Sequence, residues 1–255
     1  MGSGESPASG NERTAIVTGA ARGIGKAIAL SLAHKGISIG VADMDIGKGR
    51  EAAAEIEQAG GDAHFLEVDV TDLLSIRRMV ANAAARFGSV DILVNNAGIL
   101  STTAITEMRE EEWDRTLDIN LKGAVFATQA VLEHMIPRRW GRIVNISSMA
   151  GRMGGISTSC AYTASKSAMI GVTMNIARKV AGDGITVNAI APGTAKTEMV
   201  LGFTDRERAQ LEEASLVGRL VEPESIGETV AFLVSDAAAF ITGAVIDVNG
   251  GMFMG

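Results

Sequence analysis

The chain has 255 residues, 47% of them apolar, 21% charged and 4% aromatic, with a formal net charge of −7. An acidic balance opposes attachment to nucleic-acid phosphates or anionic lipid, and so few aromatics leave little to stack on bases. The one cysteine, Cys160, allows no internal disulfide or thiolate cluster, and His34, His64 and His134 lack ligand spacing, so no metal is expected.

Residues 1–12 (MGSGESPASGNE) are small and polar, the composition of a disordered tail, and residues 13–255 read as one domain. From there short β-branched apolar runs alternate with longer helical patterns. The candidate strands are Ala15–Thr18, Ile37–Ala42, Ala63–Val68, Ile92–Asn95, Ile143–Ser147, Thr186–Ile190 and Val245–Val248. Between the third and fourth, Leu73, Ile76, Val80, Ala83 and Phe87 recur at helical spacing and stack one apolar stripe. Long helices are expected around Glu111–Pro137 and Ala161–Ala181. The charged stretch Thr194–Leu220 breaks the rhythm, as either a mobile lid or a rigid connection. Strands of continuous apolar residues alternating with helices predict an α/β fold, a Rossmann-type doubly wound parallel sheet of seven strands with helices on both faces. No apolar run approaches the roughly 18 residues that span a bilayer, and no basic segment followed by an apolar one opens the chain. A cytoplasmic protein is expected.

The segment Thr18–Gly25 joins the first strand to a helix and carries glycines at 19, 23 and 25. Glycines there permit positive φ and let a phosphate approach backbone N–H groups at a helix N-terminus. An ordinary βα turn in a glycine-rich chain is the plainer reading. Asp43 closes the second strand, where a carboxylate can accept both hydroxyls of an adenosine ribose and repel a 2′-phosphate. Asp43 or Asp45 is alternatively the cap of the helix that begins near Ile46.

Tyr162 is the chain's only tyrosine, and Lys166 follows it by four residues, which puts both on one helix face. A free phenol titrates near 10, and lowering it by roughly 3 units takes about 4 kcal/mol. A lysine ammonium about 4 Å away at an effective dielectric near 20 supplies that much. The pair then acts as a proton donor and acceptor; the plainer reading is a core tyrosine beside a solvated lysine. Ser148 ends a buried-looking strand at the carboxyl edge of the sheet, where open α/β folds bind ligands.

Together these segments resemble the short-chain dehydrogenase/reductase family, in its single-domain branch, from about Thr14 onward. Thr18–Gly25 resembles the family's T-G-x-x-x-G-I-G turn, so Gly19, Arg22, Gly23, Ile24 and Gly25 are expected to hold the cofactor. Asp69-Val70 matches the D-V that contacts adenine, and Asn96, Ala97 and Gly98 belong to an N-N-A-G after the fourth strand. Asn120 lies in an N-x-x-G on a central helix, and Pro192, Gly193 and Thr197 fit the P-G-x-x-x-T that closes over nicotinamide. The resemblance implies a tetrad of Asn120, Ser148, Tyr162 and Lys166. In it Tyr162 exchanges the proton, Ser148 binds the same oxygen, Lys166 lowers the tyrosine pKa and holds the nicotinamide ribose, and Asn120 positions a water. Ser147 rivals Ser148, since the 14-residue interval from Ser148 to Tyr162 is one longer than usual.

Within that family the sequence resembles 3-oxoacyl-[acyl-carrier-protein] reductases and polyol or secondary-alcohol dehydrogenases. Arg138, Arg139 and Arg142 offer part of a basic face for an acidic carrier, and Arg139 matches a docking arginine of those reductases. The other docking position is Asp183, a charge reversal. With Asp43 favouring NAD over NADP, the expected reaction is hydride transfer between NAD and a small secondary alcohol, polyol or sugar. The alternatives are 3-oxoacyl-carrier-protein reduction and a non-catalytic dinucleotide sensor. A homotetramer is expected by resemblance, with the apolar end Gly251–Gly255 covered by a partner subunit.

Overall fold

The computed structural model describes residues 13–197 and 204–255. Seven strands form one parallel sheet: β1 (Thr14–Thr18), β2 (Ser38–Asp43), β3 (Ala63–Glu67), β4 (Ile92–Asn95), β5 (Gly141–Ile146), β6 (Ile185–Pro192) and β7 (Val245–Val248). Their order is β3-β2-β1-β4-β5-β6-β7, the doubly wound arrangement. The chain order reverses between β1 and β4, so the crevice at their carboxyl ends is the expected ligand site. All seven expected strands are present with ends shifted by up to two residues.

Successive residues of a strand point to opposite faces, and the sheet has a core on each. Ala15 and Val17 of β1, Ile92 and Val94 of β4, and Val144 and Ile146 of β5 pack on one side. There they meet α1 (Gly23–Ala33), α2 (Ile46–Gln58) and, in chain order the last helix, α9 (Pro223–Val234) through Ile28, Leu32, Ile56 and Val230. Ile16, Leu93 and Ile143 face the other way, onto α3 (Leu73–Phe87), α5 (Gly123–Arg138) and α7 (Cys160–Val180). In α3 the buried stripe runs through Ile76, Met79, Val80 and Ala83, while Leu73 is exposed at the helix start. Asp72 caps α3 by accepting from Leu74 N, and Gly88 ends it at φ 82°. No described helix is long and apolar enough to cross a membrane.

Two expectations need correction. The helix expected over Glu111–Pro137 is broken into α4 (Glu110–Leu117), one π-helical turn at Asp118–Lys122, and α5. Asn120, at the centre of the turn, bonds to Ile99 in the loop after β4 and to Ser165. The basic face expected of Arg138, Arg139 and Arg142 loses one member, Arg142, while Arg138 and Arg139 stay exposed. Arg142 is 3% exposed and stacks on Trp140, Arg138 pairs with buried Asp91, and Arg139 pairs with Asp183 and donates to Gly182 O. The stretch 194–220, expected as either a mobile lid or a rigid connection, is partly helical. It contains α8 (Asp205–Glu213), and its ends are tied by the Ala195–Val221 bridge and by Lys196 against Glu222. Met199 and Phe203 lie outside the described residues. The short helix α6 (Met149–Met153) follows β5.

Candidate active site

The turn after β1 is built around its glycines. Gly19 and Gly23 adopt φ +66° and +57°, and a Cβ at Gly25 would lie 2.1 Å from Gly19 O. No side chain caps the N-terminus of α1, so its first N–H groups face the crevice without an internal partner. The loop after β4 is fastened to this turn. Asn96 Nδ2 donates to Thr18 O (2.9 Å) and Gly19 O (3.1 Å), and the Thr18 hydroxyl accepts from Asn96 N and Ala97 N. Thr18 was legible as part of the turn but not as this fastener.

Asp43 Oδ2 accepts from Ala21 N and Oδ1 from Asp45 N, both at 3.0 Å. The helix cap is Asp45, which accepts from Lys48 N. Asp43 is thus held at the edge of the glycine turn by the turn itself. Asp69 Oδ1 accepts from Thr71 N and Oγ1, and Val70 packs against Gly123 at the start of α5. Thr197 stands across from Gly23, its Cγ2 3.5 Å from where a Cβ would sit, and Gly193 backs onto Asn249. Arg22 is exposed at the turn. A cradle that a side chain would fill, uncapped N–H groups and a carboxylate at the end of β2 fit a dinucleotide.

On the other side of the crevice, Asn120 is 1% exposed. Its Oδ1 accepts from Ile99 N (2.8 Å), and its Nδ2 donates to Ile99 O (3.0 Å) and Ser165 Oγ (3.1 Å). Gly98 is closely approached here, since a Cβ would lie 3.2 Å from Asn120 Oδ1 and 3.5 Å from Lys166 Nζ. The two serines separate cleanly. Ser147 Oγ donates to Lys166 O at 2.7 Å and is buried, a structural bond; Ser148 caps α6, its Oγ accepting from Ala150 N, and pulls the Tyr162 pKa downward. Ser159 caps α7, its Oγ accepting from Tyr162 N.

Lys166 Nζ donates to Ile146 O at 2.8 Å and lies 5.8 Å from the centre of the Tyr162 ring. Burial lowers its pKa from 10.5 to about 8. Burial also raises the Tyr162 pKa, against an opposing pull from Ser148. In the protein alone, then, burial is the largest influence on the phenol, opposite in direction to the lowering expected from Lys166. The structure thus gathers Asn120, Ser148, Tyr162 and Lys166 at the carboxyl ends of β4 and β5, facing the glycine turn across the crevice.

Comparison with known proteins bears on this arrangement. A family model described as enoyl-(acyl carrier protein) reductase matches residues 19–253. The chain is 40% identical over 243 residues to the 3-oxoacyl-[acyl-carrier-protein] reductase FabG of Staphylococcus aureus strain Mu50, covering 95% of this chain and 98% of that protein. The protein of the same name from Escherichia coli strain K12 is 42% identical with the same coverages, and that from Staphylococcus epidermidis strain RP62A is 41% identical, covering 95% and 99%. This chain belongs to the short-chain dehydrogenase/reductase family. It is accordingly an oxidoreductase that acts on CH–OH groups of a small-molecule substrate with a nicotinamide dinucleotide.

Proposed function

We propose that this short-chain dehydrogenase/reductase reduces the 3-oxo group of an acyl thioester to the 3-hydroxy form. The observation that carries this is 40–42% identity along 95% of the chain to reductases so named. The dinucleotide, when bound, supplies the hydride. Tyr162 donates its proton to the oxygen that becomes the hydroxyl. Ser148 donates a hydrogen bond to the same oxygen. Lys166 stabilises the phenolate left behind and holds the nicotinamide ribose, and Asn120 fixes the Ile99 wall and the proton-relay water. Gly19, Arg22, Gly23, Ile24 and Gly25 receive the pyrophosphate, and Asp69 and Val70 flank the adenine. Asn96, Ala97, Gly98, Pro192, Gly193 and Thr197 enclose the rest. Asp43, fixed to the turn, favours NAD(H), because a 2′-phosphate would meet a like charge.

A second reading, dehydrogenation of a free secondary alcohol or polyol, is favoured by Asp183, which sets a negative charge beside Arg139 where an acidic carrier would dock. The non-catalytic sensor reading is disfavoured by the presence of all four tetrad residues. Exposed Phe232, Phe240 and Met254 and the open edge of β7 support a homotetramer, which light scattering at micromolar concentration tests. Initial rates with NADH and NADPH on acetoacetyl-coenzyme A, beside NAD reduction across a panel of alcohols, test the main reading. Thioester turnover should exceed every alcohol in kcat/KM; a better alcohol overturns it in favour of the second reading.

A further inference from the structure

Three consecutive glutamates open α4, and Glu112 alone among them turns inward. A glutamate at the third position of a helix ordinarily folds back onto its own cap. Glu112 instead reaches a different segment, the loop after β4. One carboxylate oxygen, Oε1, accepts from Ser101 Oγ (2.5 Å) and from Thr103 Oγ1 (2.7 Å). Only an acceptor with free lone pairs can take two hydroxyls at one atom, and those bonds hold the Glu112 pKa below the usual carboxylate range, Ser101 contributing most.

The loop so held leads directly to the proton donor. Ser101 is buried, and its carbonyl accepts from Ser159 N at 2.7 Å. Ser159, also buried, accepts from Tyr162 N with its own hydroxyl at 3.1 Å and caps α7. Three hydrogen bonds therefore join the Glu112 carboxylate to the backbone of Tyr162. Two residues before Ser101, Ile99 is clasped by Asn120. The loop from Ile99 to Ile105 has few apolar anchors of its own, since Leu100, Thr102, Ala104 and Ile105 are exposed. Its position rests on the two clasps, and one of them is Glu112.

We propose that Glu112 is a positioning residue for Tyr162, fixing the start of α7 through Ser101 and Ser159. The role is independent of which carbonyl substrate is turned over. Tyr162 is the chain's only tyrosine, so labelling the ring carbon that bears the hydroxyl gives a single resonance that reports its surroundings without turnover. Glu112→Ala should move that resonance and lower kcat about 10-fold, within the range for misplacing a reacting group by less than 1 Å. KM for the dinucleotide, bound on the far side of the crevice, should change by less than about 2-fold. Glu112→Gln keeps an oxygen acceptor and should recover most of the activity and the original resonance. The pair Ser101→Ala/Thr103→Val removes the same two bonds from the other side and should reproduce the alanine variant; it decides the matter if Glu112→Ala does not fold. An unmoved tyrosine resonance with unchanged kcat in the variants that remove the bonds overturns the proposal. So does a glutamine variant as impaired as alanine.

Discussion

Replacing Gly25 by alanine separates the demands of the glycine turn from helix propensity. A Cβ there would lie 2.1 Å from Gly19 O, 2.5 Å from Asn96 Nδ2 and 2.8 Å from Gly19 C, whereas ordinary contact begins at 3.4 Å. The backbone of the turn must therefore retreat by roughly 1.3 Å, since a carbonyl is not the far end of a flexible side chain. Overpacking of this kind costs about 1–3 kcal/mol, against a helical gain from alanine of about 1 kcal/mol at most. At about 2–4 °C per kcal/mol for a chain near this size, the net loss lowers Tm by a few degrees. The same retreat pulls the N–H groups of Gly19 to Gly25 off the phosphates, so the Kd for dinucleotide should rise at least about 10-fold. Gly47, exposed in α2 with Asp45 Oδ1 at 3.6 Å as the nearest atom, is the control. Gly47→Ala should leave affinity alone and stabilise by about 0.5–1 kcal/mol. Thermal melts and calorimetric titration with NADH and NADPH measure both effects. A Gly25→Ala protein with unchanged Tm and Kd would refute the assignment of the turn.

Asp43→Ser should narrow or reverse the preference for NAD(H), read as the ratio of kcat/KM for the two dinucleotides; an intact protein that prefers NADP(H) contradicts the role given to this carboxylate. Lys166 should leave a signature in stability against pH. Its folded pKa of about 8 lies below the ordinary 10.5, so the unfolded chain binds more protons between those values and stability rises with pH across that window. The penalty relieved is roughly 3 kcal/mol by linkage, and denaturant titrations should show it in the wild type and not in Lys166→Met; equal slopes would contradict it. Ser147→Ala should cost about 0.5–1.5 kcal/mol of stability and keep most activity, whereas Ser148→Ala should lower kcat at least about 10-fold with little loss of stability. The reverse pattern would exchange the two serines.

Much of this site was legible because it is written in residues that few positions tolerate. Gly19 and Gly23 need positive φ, Gly25 needs an absent Cβ, and the spacing of Tyr162 and Lys166 puts both on one helix face. The strands were legible from continuous apolar runs, which a sheet covered on both faces requires. What was not legible depends on partners distant in sequence. Nothing between Glu110 and Lys122 is glycine or proline, so no local signal announces the π turn; the bonds of Asn120 to Ile99 and Ser165 accompany it. The burial of Arg142 follows from Trp140 and the start of β6, and no charge pattern reveals it. Ser147 and Ser148 differ only in which face of the strand end each occupies. Glu112 reads as one more charge in an acidic run until Ser101 and Thr103 are brought to it. The burial that raises the Tyr162 pKa has no local signal either, because it depends on what packs over the ring.

The central claim is that Tyr162 passes the proton while the dinucleotide site across the crevice stands independently. Tyr162→Phe tests it most directly, because it removes one oxygen from a half-buried ring and leaves the glycine turn, Asp43 and Lys166 in place. Steady-state reduction of acetoacetyl-coenzyme A and calorimetric binding of NADH and NADPH should be measured on the same preparation. The kcat should fall at least about 10²-fold, with dinucleotide affinity within about 2-fold of the unmodified protein. Near-normal turnover in the phenylalanine variant would contradict it.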